Sequence, residues 1–125
     1  SPTRVPGSDV VTRRLVVQLT TDVPERVASA LTVGMAAAAA GAQVDLWLSG
    51  PATLLVVPGR EPPYDVEFAP TLEDALSAMS SVAVCSQCAA RRRLVAEDLR
   101  TGARIAGATE LVEVLLTDAV QAVSY

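Results

Sequence analysis

Apolar residues in this chain form short, nearly continuous runs that alternate with longer segments of helical period. The runs contain mostly Val, Leu and Ala, as do strands that are buried on both faces of a parallel sheet. Strands alternating with helices indicate an α/β protein with a mainly parallel five-stranded sheet and right-handed crossovers. The predicted strands are 14–20, 43–48, 81–84, 104–106 and 119–124, and the predicted helices are 23–40, 72–79, 86–98 and 109–116.

Capping and turn-forming residues set the ends of the first helix. Thr21 and Asp22 are residue types that cap helices, and Pro24 follows them in the first predicted turn. Asp22 is therefore interpreted as a helix cap in preference to a catalytic acid. Gly41 suits the position just after a helix, where the backbone often turns left-handed.

The apolar pattern, together with the positions of proline and glycine, divides the chain into one arm and one domain. Residues 1–12 lack an apolar period and are predicted to form a flexible arm, followed by a single domain at 13–125. A short helix is predicted at 52–57, and the proline-rich segment 58–70 is predicted to be a surface loop. Thr71 is predicted to cap the next helix.

Composition narrows the range of partners. Half of the residues are hydrophobic but only four are aromatic, and the net charge is -4. An acidic chain with few aromatic residues is unsuited to nucleic acid, which requires a basic surface or stacking platforms. No apolar segment is long enough to cross a bilayer. We therefore expect a cytoplasmic protein with no nucleic-acid or membrane partner, and the exclusive use of Arg as the basic residue suggests a bacterial source.

Two residue types, His and Lys, do not occur in this chain, and their absence from the sequence excludes several catalytic mechanisms. The chain contains no His, and all ten of its basic residues are Arg. It therefore offers neither a Ser-His-Asp arrangement nor the lysine of a Schiff base or a P-loop. Its two cysteines, Cys85 and Cys88, lie at CxxC spacing between a predicted strand and a predicted helix. Cysteine chemistry is the remaining candidate.

The position of these cysteines favours reactivity. A thiol at a helix N-terminus lies near unpaired N–H groups that stabilise its anion, and Cys88 is close enough in sequence to form a disulfide with Cys85. Ligands of open parallel sheets bind at the carboxyl ends of strands where the strand order reverses. An assumed order of 2-1-3-4-5 places the first strand's end beside Cys85. The predicted supporting residues are Gln87, Arg91, Arg92, Thr21 and Asp22.

Four other interpretations of the cysteines remain open. They can be buried structural residues, since free cysteine is often buried. They can supply two of the four ligands of a zinc site, with the others from carboxylates or a second subunit. The spacing from Cys85 to Arg91 matches the C-x5-R loops of phosphatases and rhodaneses, although no glycine lies between them. A thioredoxin-type site fits poorly, because no proline follows residue 70.

Several motifs, in this order and spacing, resemble the DsrE/DsrF-like family, which includes the TusD-type sulfur-relay subunits. The resemblance covers about residues 14–125. The motifs are the helix start Asp22-Val23-Pro24-Glu25-Arg26, the strand within Gly41 to Gly50, the segment Val84-Cys85-x-x-Cys88-Ala89 with Arg92, and Gly107-Ala108-x-Glu110-Leu111.

The resemblance implies a flavodoxin-like three-layer fold and a homo-oligomer, with trimers and hexamers common. It also implies that Cys85 carries sulfur as a persulfide between donor and acceptor proteins, with Cys88 as the resolving thiol and Arg92 as the family's basic residue. The family often has Gly after that Arg, where this chain has Arg93. No cofactor or metal is expected. The alternatives are a non-catalytic scaffold of the same fold and a CxxC thiol-disulfide redox protein.

Overall fold

The computed structural model describes residues 13–125, so the predicted arm at 1–12 lies outside the described residues. The strands and helices alternate as the apolar pattern predicts. The strands are β1 (Arg14–Leu19), β2 (Gln43–Leu48), β3 (Ser81–Cys85), β4 (Ala103–Ala106) and β5 (Val120–Ser124). The α-helices are α1 (Pro24–Ala39), α2 (Leu72–Ala78), α3 (Ser86–Arg91) and α4 (Ala108–Leu115), and 3₁₀ helices occur at Gly50–Val56 and Ala96–Asp98.

The described strands form one sheet in the order β4-β3-β2-β1-β5, and every neighbouring pair is parallel. With helices on both faces, this is a flavodoxin-like three-layer α/β fold. The assumed order 2-1-3-4-5 is wrong, because β2 lies between β1 and β3. The chain adds β2, β3 and β4 on one side of β1 and then crosses to the other side for β5. The order therefore reverses between β1 and β5.

One face of the sheet, called here the first face, is the main hydrophobic core. Helices α1 and α2 and the 3₁₀ helix Gly50–Val56 pack on it, so its side chains are almost completely removed from water. This burial is the largest favourable contribution to folding. The strand residues of the first face are Val17, Leu19, Val44, Leu46, Leu48, Val82 and Val84.

The opposite face, called here the second face, is covered by α4 and is more polar. Its apolar part is a small cluster in which Trp47 packs with Ala83 and Ala106, and Leu111 of α4 lies against them. Beside this cluster, Arg14 of β1 forms an ion pair with Asp45 of β2, whose side chain is mostly buried. The second-face residues are Arg14, Val16, Asp45, Trp47, Ala83 and Ala106.

Most predicted element ends are confirmed, but the start of α1 differs. Thr71 caps α2 by accepting a hydrogen bond from the N–H of Asp74 at 3.1 Å, and Gly41 has a φ of +93° after α1. The interpretation of Asp22 as a helix cap is wrong. Val23 occupies the cap position without a side-chain hydrogen bond, since Pro24 already removes one of the N–H groups that need a partner.

The helix after the cysteines is shorter than predicted, ending at Arg91 instead of near residue 98. Arg93 adopts a left-handed φ of +56°, and the N–H of Leu94 bonds to the carbonyl of Ala89 at 2.9 Å. Together with the bond from Arg93 N–H to the Ala90 carbonyl, this is a Schellman ending. It turns Leu94 into the first-face core. Arginine rarely adopts this conformation, so the residue pattern did not indicate the end.

Candidate functional site

Cys85 lies where β3 ends and α3 begins. It is the last residue of the strand and the N-cap of the helix, and it pairs in register with Ala106 of the neighbouring β4. Its side chain is half-buried, and both cysteines are free thiols. The position is therefore at the carboxyl edge of a parallel sheet, where such folds commonly place their sites.

The surroundings of Cys85 favour its anion. Partial burial raises the pKa of the thiol, but the N–H of Cys88, the Cys88 thiol, the N–H of Gln87 and the charge of Arg91 lower it by more. The net pKa lies below its ordinary value. None of these groups forms a well-aligned cap hydrogen bond with the sulfur, so several weaker interactions share the effect. A lowered pKa increases the fraction of thiolate, the reactive form, near neutral pH.

Cys88 has a different environment, with only 7% of its surface exposed. The N–H of Gly50 donates to the Cys88 sulfur at 3.2 Å, and Nη1 of Arg91 donates to the same sulfur at 3.7 Å. The Cys88 thiol in turn interacts with the Cys85 sulfur. The two cysteines are thus neighbours with different environments, since Cys85 is half-buried and Cys88 is enclosed.

The three predicted supporting residues around α3 contribute to the site in different ways. Arg91 contacts Cys88 as described, whereas Arg92 donates from Nη1 to the Cys88 carbonyl at 3.2 Å and so holds the backbone. The Gln87 side chain is exposed, and its contribution to the site comes from its backbone N–H. These residues lie together at the cysteines.

Thr21 and Asp22 were predicted from an assumed strand order that the structure does not have. They follow β1, which β2 separates from β3, so the argument that placed them beside Cys85 does not hold. The preceding residue, Thr20, bonds to the Tyr125 carbonyl through its N–H and its hydroxyl, each at 3.0 Å. Thr21 accepts from the N–H of Val23 at 3.2 Å. Within residues 13–125 no hydrogen bond joins Thr21 or Asp22 to either cysteine, so their supporting role stays a prediction.

Gly50 is the site residue that the sequence reasoning missed. In the sequence it appears only as the last residue of the motif Gly41 to Gly50, just beyond the predicted strand 43–48. Since β2 is the neighbour of β3, its end lies beside the cysteines instead. A glycine directly after a strand, at the edge where ligands bind, was the available signal.

The structure also bears on two of the open alternatives. Residues 86–91 form a helix, so they do not make the oxyanion-wrapping loop of a C-x5-R site. Within residues 13–125, no group of three Cys, His, Asp or Glu side chains is placed to hold a metal ion. None of the helices in that range is long and apolar enough to cross a membrane.

A cavity of about 260 Å³ lies at the opposite end of the strand that leads to Cys85. Ser81, the first residue of β3, and Gly102, just before β4, line it together with Arg100. The length of β3 separates this cavity from Cys85 by roughly 13 Å. The cysteine pair therefore lies outside this cavity, at the carboxyl edge of the sheet.

Comparison with known proteins agrees with the fold and the motifs. A family model described as the DsrE/DsrF-like family matches residues 14–121. The chain belongs to the DsrE/DsrF-like family. This family is associated in general with sulfur relay. No curated protein matches the chain.

Two solved structures have a similar fold. The ychN protein from E. coli superposes with a TM-score of 0.69 at 18% identity, over 90% of this chain and 100% of that chain. A protein of unknown function from Methanobacterium thermoautotrophicum, MTH1491, gives a TM-score of 0.71 at 14% identity, over 90% of this chain and 99% of that chain. At these identities the similarity shows the fold alone.

Proposed function

We propose that this protein is a sulfur carrier in which Cys85 accepts a sulfane sulfur as a persulfide and Cys88 later displaces it. The observation that supports the proposal most is the environment of Cys85. Its sulfur is half-exposed and its pKa is lowered, so a donor can reach a thiolate. Membership of a family associated with sulfur relay supports the same chemistry.

The loading step is a thiolate displacement. The Cys85 thiolate attacks the outer sulfur of a donor persulfide or polysulfide, and a new bond forms from Cys85 Sγ to that sulfur. The bond between the outer sulfur and the donor breaks, and the donor leaves with the electron pair as a thiolate. Such exchange depends on the thiolate fraction of the attacking group. The donor and acceptor are other proteins, and the reducing cytoplasm, where we place the carrier, keeps both thiols available.

Intact mass spectrometry of the reduced protein after brief exposure to polysulfide tests the proposal. Wild type and Cys88→Ser should gain whole sulfur atoms, whereas Cys85→Ser should gain none. Since the pKa of Cys85 is lowered, loading should persist as the pH falls below the ordinary range of a cysteine thiol and decline only below the lowered value. A Cys85→Ser protein that loads as well as wild type would exclude Cys85 as the carrier.

A thiol-disulfide redox protein is the second candidate, because Cys88 lies in the helix that Cys85 caps and its N–H and thiol lower the pKa of Cys85. This function requires the pair to cycle between dithiol and disulfide without retaining sulfur. The same spectra separate the two functions, since a redox protein loses two hydrogen atoms and gains no sulfur. If neither thiol reacts, the cysteines are structural and the protein is a scaffold of the same fold.

We also propose that the carrier is a homo-oligomer, a trimer or a hexamer, which associates through α4 and β5. In the described part of the chain, neither of these elements contains a buried residue. On the helix, 47% of Val112 and 80% of Leu116 are exposed. Neighbouring apolar residues left in water are typical of an interaction surface. Sedimentation of the purified protein tests this: a monomer at all concentrations would contradict it.

A further inference from the structure

Gly50 holds its backbone against the end of a neighbouring strand in a conformation that suits glycine. Its φ is +54°, and a Cβ added to it would lie 3.0 Å from the carbonyl oxygen of Thr20. Other residues are strained in this region of backbone space, and here they would also press on β1. The result is that the N–H of Gly50 points at the Cys88 sulfur from 3.2 Å.

Arg91 approaches the same sulfur from α3. Its Nη1 lies 3.7 Å from Cys88 Sγ, although the rest of its side chain is exposed. Cys88 is only 7% exposed, and burial at such a position disfavours a charged sulfur that lacks hydrogen bonds. Two donors directed at one sulfur offset that penalty, and both are stronger when the sulfur is charged.

We propose that the Gly50 N–H and Arg91 stabilise the Cys88 sulfur as a thiolate during sulfur release, which makes both of them positioning residues of the resolving cysteine. The inference rests on the proposed carrier function, and it extends that function from loading to release. Neither the family match nor the motif spacing assigns a role to Gly50.

The release step balances as follows. Cys88 loses its proton to solvent, and its thiolate attacks Cys85 Sγ, which carries the outer sulfur as a protonated persulfide. A disulfide bond forms between Cys85 and Cys88, and the bond from Cys85 Sγ to the outer sulfur breaks. The electron pair leaves with the outer sulfur as hydrosulfide. The outer sulfur is reduced, the Cys88 sulfur is oxidised, and no further oxidant is required.

The first test measures hydrosulfide release from protein that has been loaded with polysulfide and freed of excess reagent. Gly50→Ala should load normally, whereas Arg91→Gln also removes a charge that lowers the pKa of Cys85, so this variant is exposed to polysulfide until its sulfur content equals that of wild type. Both loaded variants should then release hydrosulfide about tenfold more slowly at neutral pH, as expected for loss of one hydrogen bond to a charged group. The difference should narrow at high pH, where deprotonation no longer needs assistance. A defect that is equal at every pH, or no defect, would overturn the proposal.

Matched controls separate this effect from backbone strain and from general loss of charge. Gly59 has a φ of +84° with no atom within 4 Å of an added Cβ, so Gly59→Ala introduces left-handed strain in an exposed loop away from the cysteines. Arg93→Gln removes a neighbouring exposed charge for which no contact to either sulfur is found. Both controls should release hydrosulfide at the wild-type rate. If Gly50→Ala fails to fold, Arg91→Gln still tests the proposal.

A second measurement does not require persulfide chemistry. In a Cys85→Ser background, the rate at which iodoacetamide alkylates Cys88 is followed as a function of pH. Adding Gly50→Ala or Arg91→Gln should slow alkylation about tenfold at neutral pH and much less at high pH. If wild type fails to load sulfur but this pH dependence is found, the carrier function is wrong and the thiolate-stabilising role stands. If alkylation is unchanged, the role itself is wrong.

Discussion

The two faces of the sheet differ in how completely this chain covers them, and β2 shows the difference within one strand. Its first-face residues Leu46 and Leu48 are 1% and 0% exposed among aliphatic neighbours. Its second-face residues are Asp45, which pairs with Arg14, and Trp47. A single helix, α4, covers that second face, whereas α1, α2 and the 3₁₀ helix Gly50–Val56 cover the first.

The two faces therefore contribute to stability in different ways. The first face is a dry aliphatic core whose contribution follows from apolar burial. The second face depends on a partly buried ion pair and a small apolar cluster, and ion pairs removed from water are weak sources of net stability. We therefore expect substitutions on the first face to unfold the chain, while the edge of the second face tolerates change and meets other chains.

The largest effect is expected for Leu46→Ala on the first face. Removing a fully buried leucine side chain leaves a cavity and should lower the free energy of unfolding by about 3 kcal/mol. Urea unfolding measures this loss. Leu111→Ala on the second face is the matched leucine truncation, and its cost should be about 1 kcal/mol because Leu111 is only partly buried. Equal losses would mean that α4 seals the second face as well as α1 seals the first.

The next largest effect is expected for Arg14→Gln. It leaves the Asp45 carboxylate, in a residue only 9% exposed, without its charged partner, and within residues 13–125 the second oxygen, Oδ1, already has no hydrogen-bond partner. The free energy of unfolding should fall by about 2 kcal/mol. The double variant Arg14→Gln/Asp45→Asn should recover most of this loss, because two amides can bond without buried charge.

The exposed ion pair between Arg104 and Glu110 provides the control for that prediction. Both side chains are about half exposed, at 50% and 46%. Arg104→Gln should therefore change the free energy of unfolding by less than about 0.5 kcal/mol, as is usual for exposed pairs. If Arg104→Gln costs as much as Arg14→Gln, burial is not the cause of the difference.

The first face could be predicted from sequence, because continuous apolar strands and helical periods are local patterns. The CxxC pair and its position between strand and helix were local as well. Strand order is not local, because it depends on which edges pair. The assumed order was wrong, so it gave no valid reason to place Thr21 beside Cys85, and it concealed Gly50. The end of α3 was missed because Arg93 carries no turn signal: its left-handed conformation accompanies the Schellman hydrogen bonds and the burial of Leu94, which follows it.

A smaller effect, in the stabilising direction, is expected for Arg93→Gly. Left-handed backbone costs an L-residue roughly 1–2 kcal/mol, and glycine adds roughly 0.5–1 kcal/mol of unfolded-chain entropy, so the net gain should be about 0.5–1 kcal/mol. Arg93→Ala removes the same side chain but keeps Cβ, and it should give no gain. Thermal unfolding of both variants checks this. A gain for both would attribute the effect to the loss of charge, not to the Schellman turn that directs Leu94 into the first face.

The smallest effect on the chain itself is expected for Leu116→Ser, at the end of α4. This side chain is 80% exposed, so the free energy of unfolding of the isolated chain should change by less than about 0.5 kcal/mol. Self-association should nevertheless weaken, since the substitution removes apolar area from the proposed interface. Val95, which is 56% exposed and lies after α3, provides the control. If sedimentation shows that Val95→Ser weakens association and Leu116→Ser does not, the chains associate through the surface beside α3. The surface of α4 and β5 is then exposed to solvent and forms no interface.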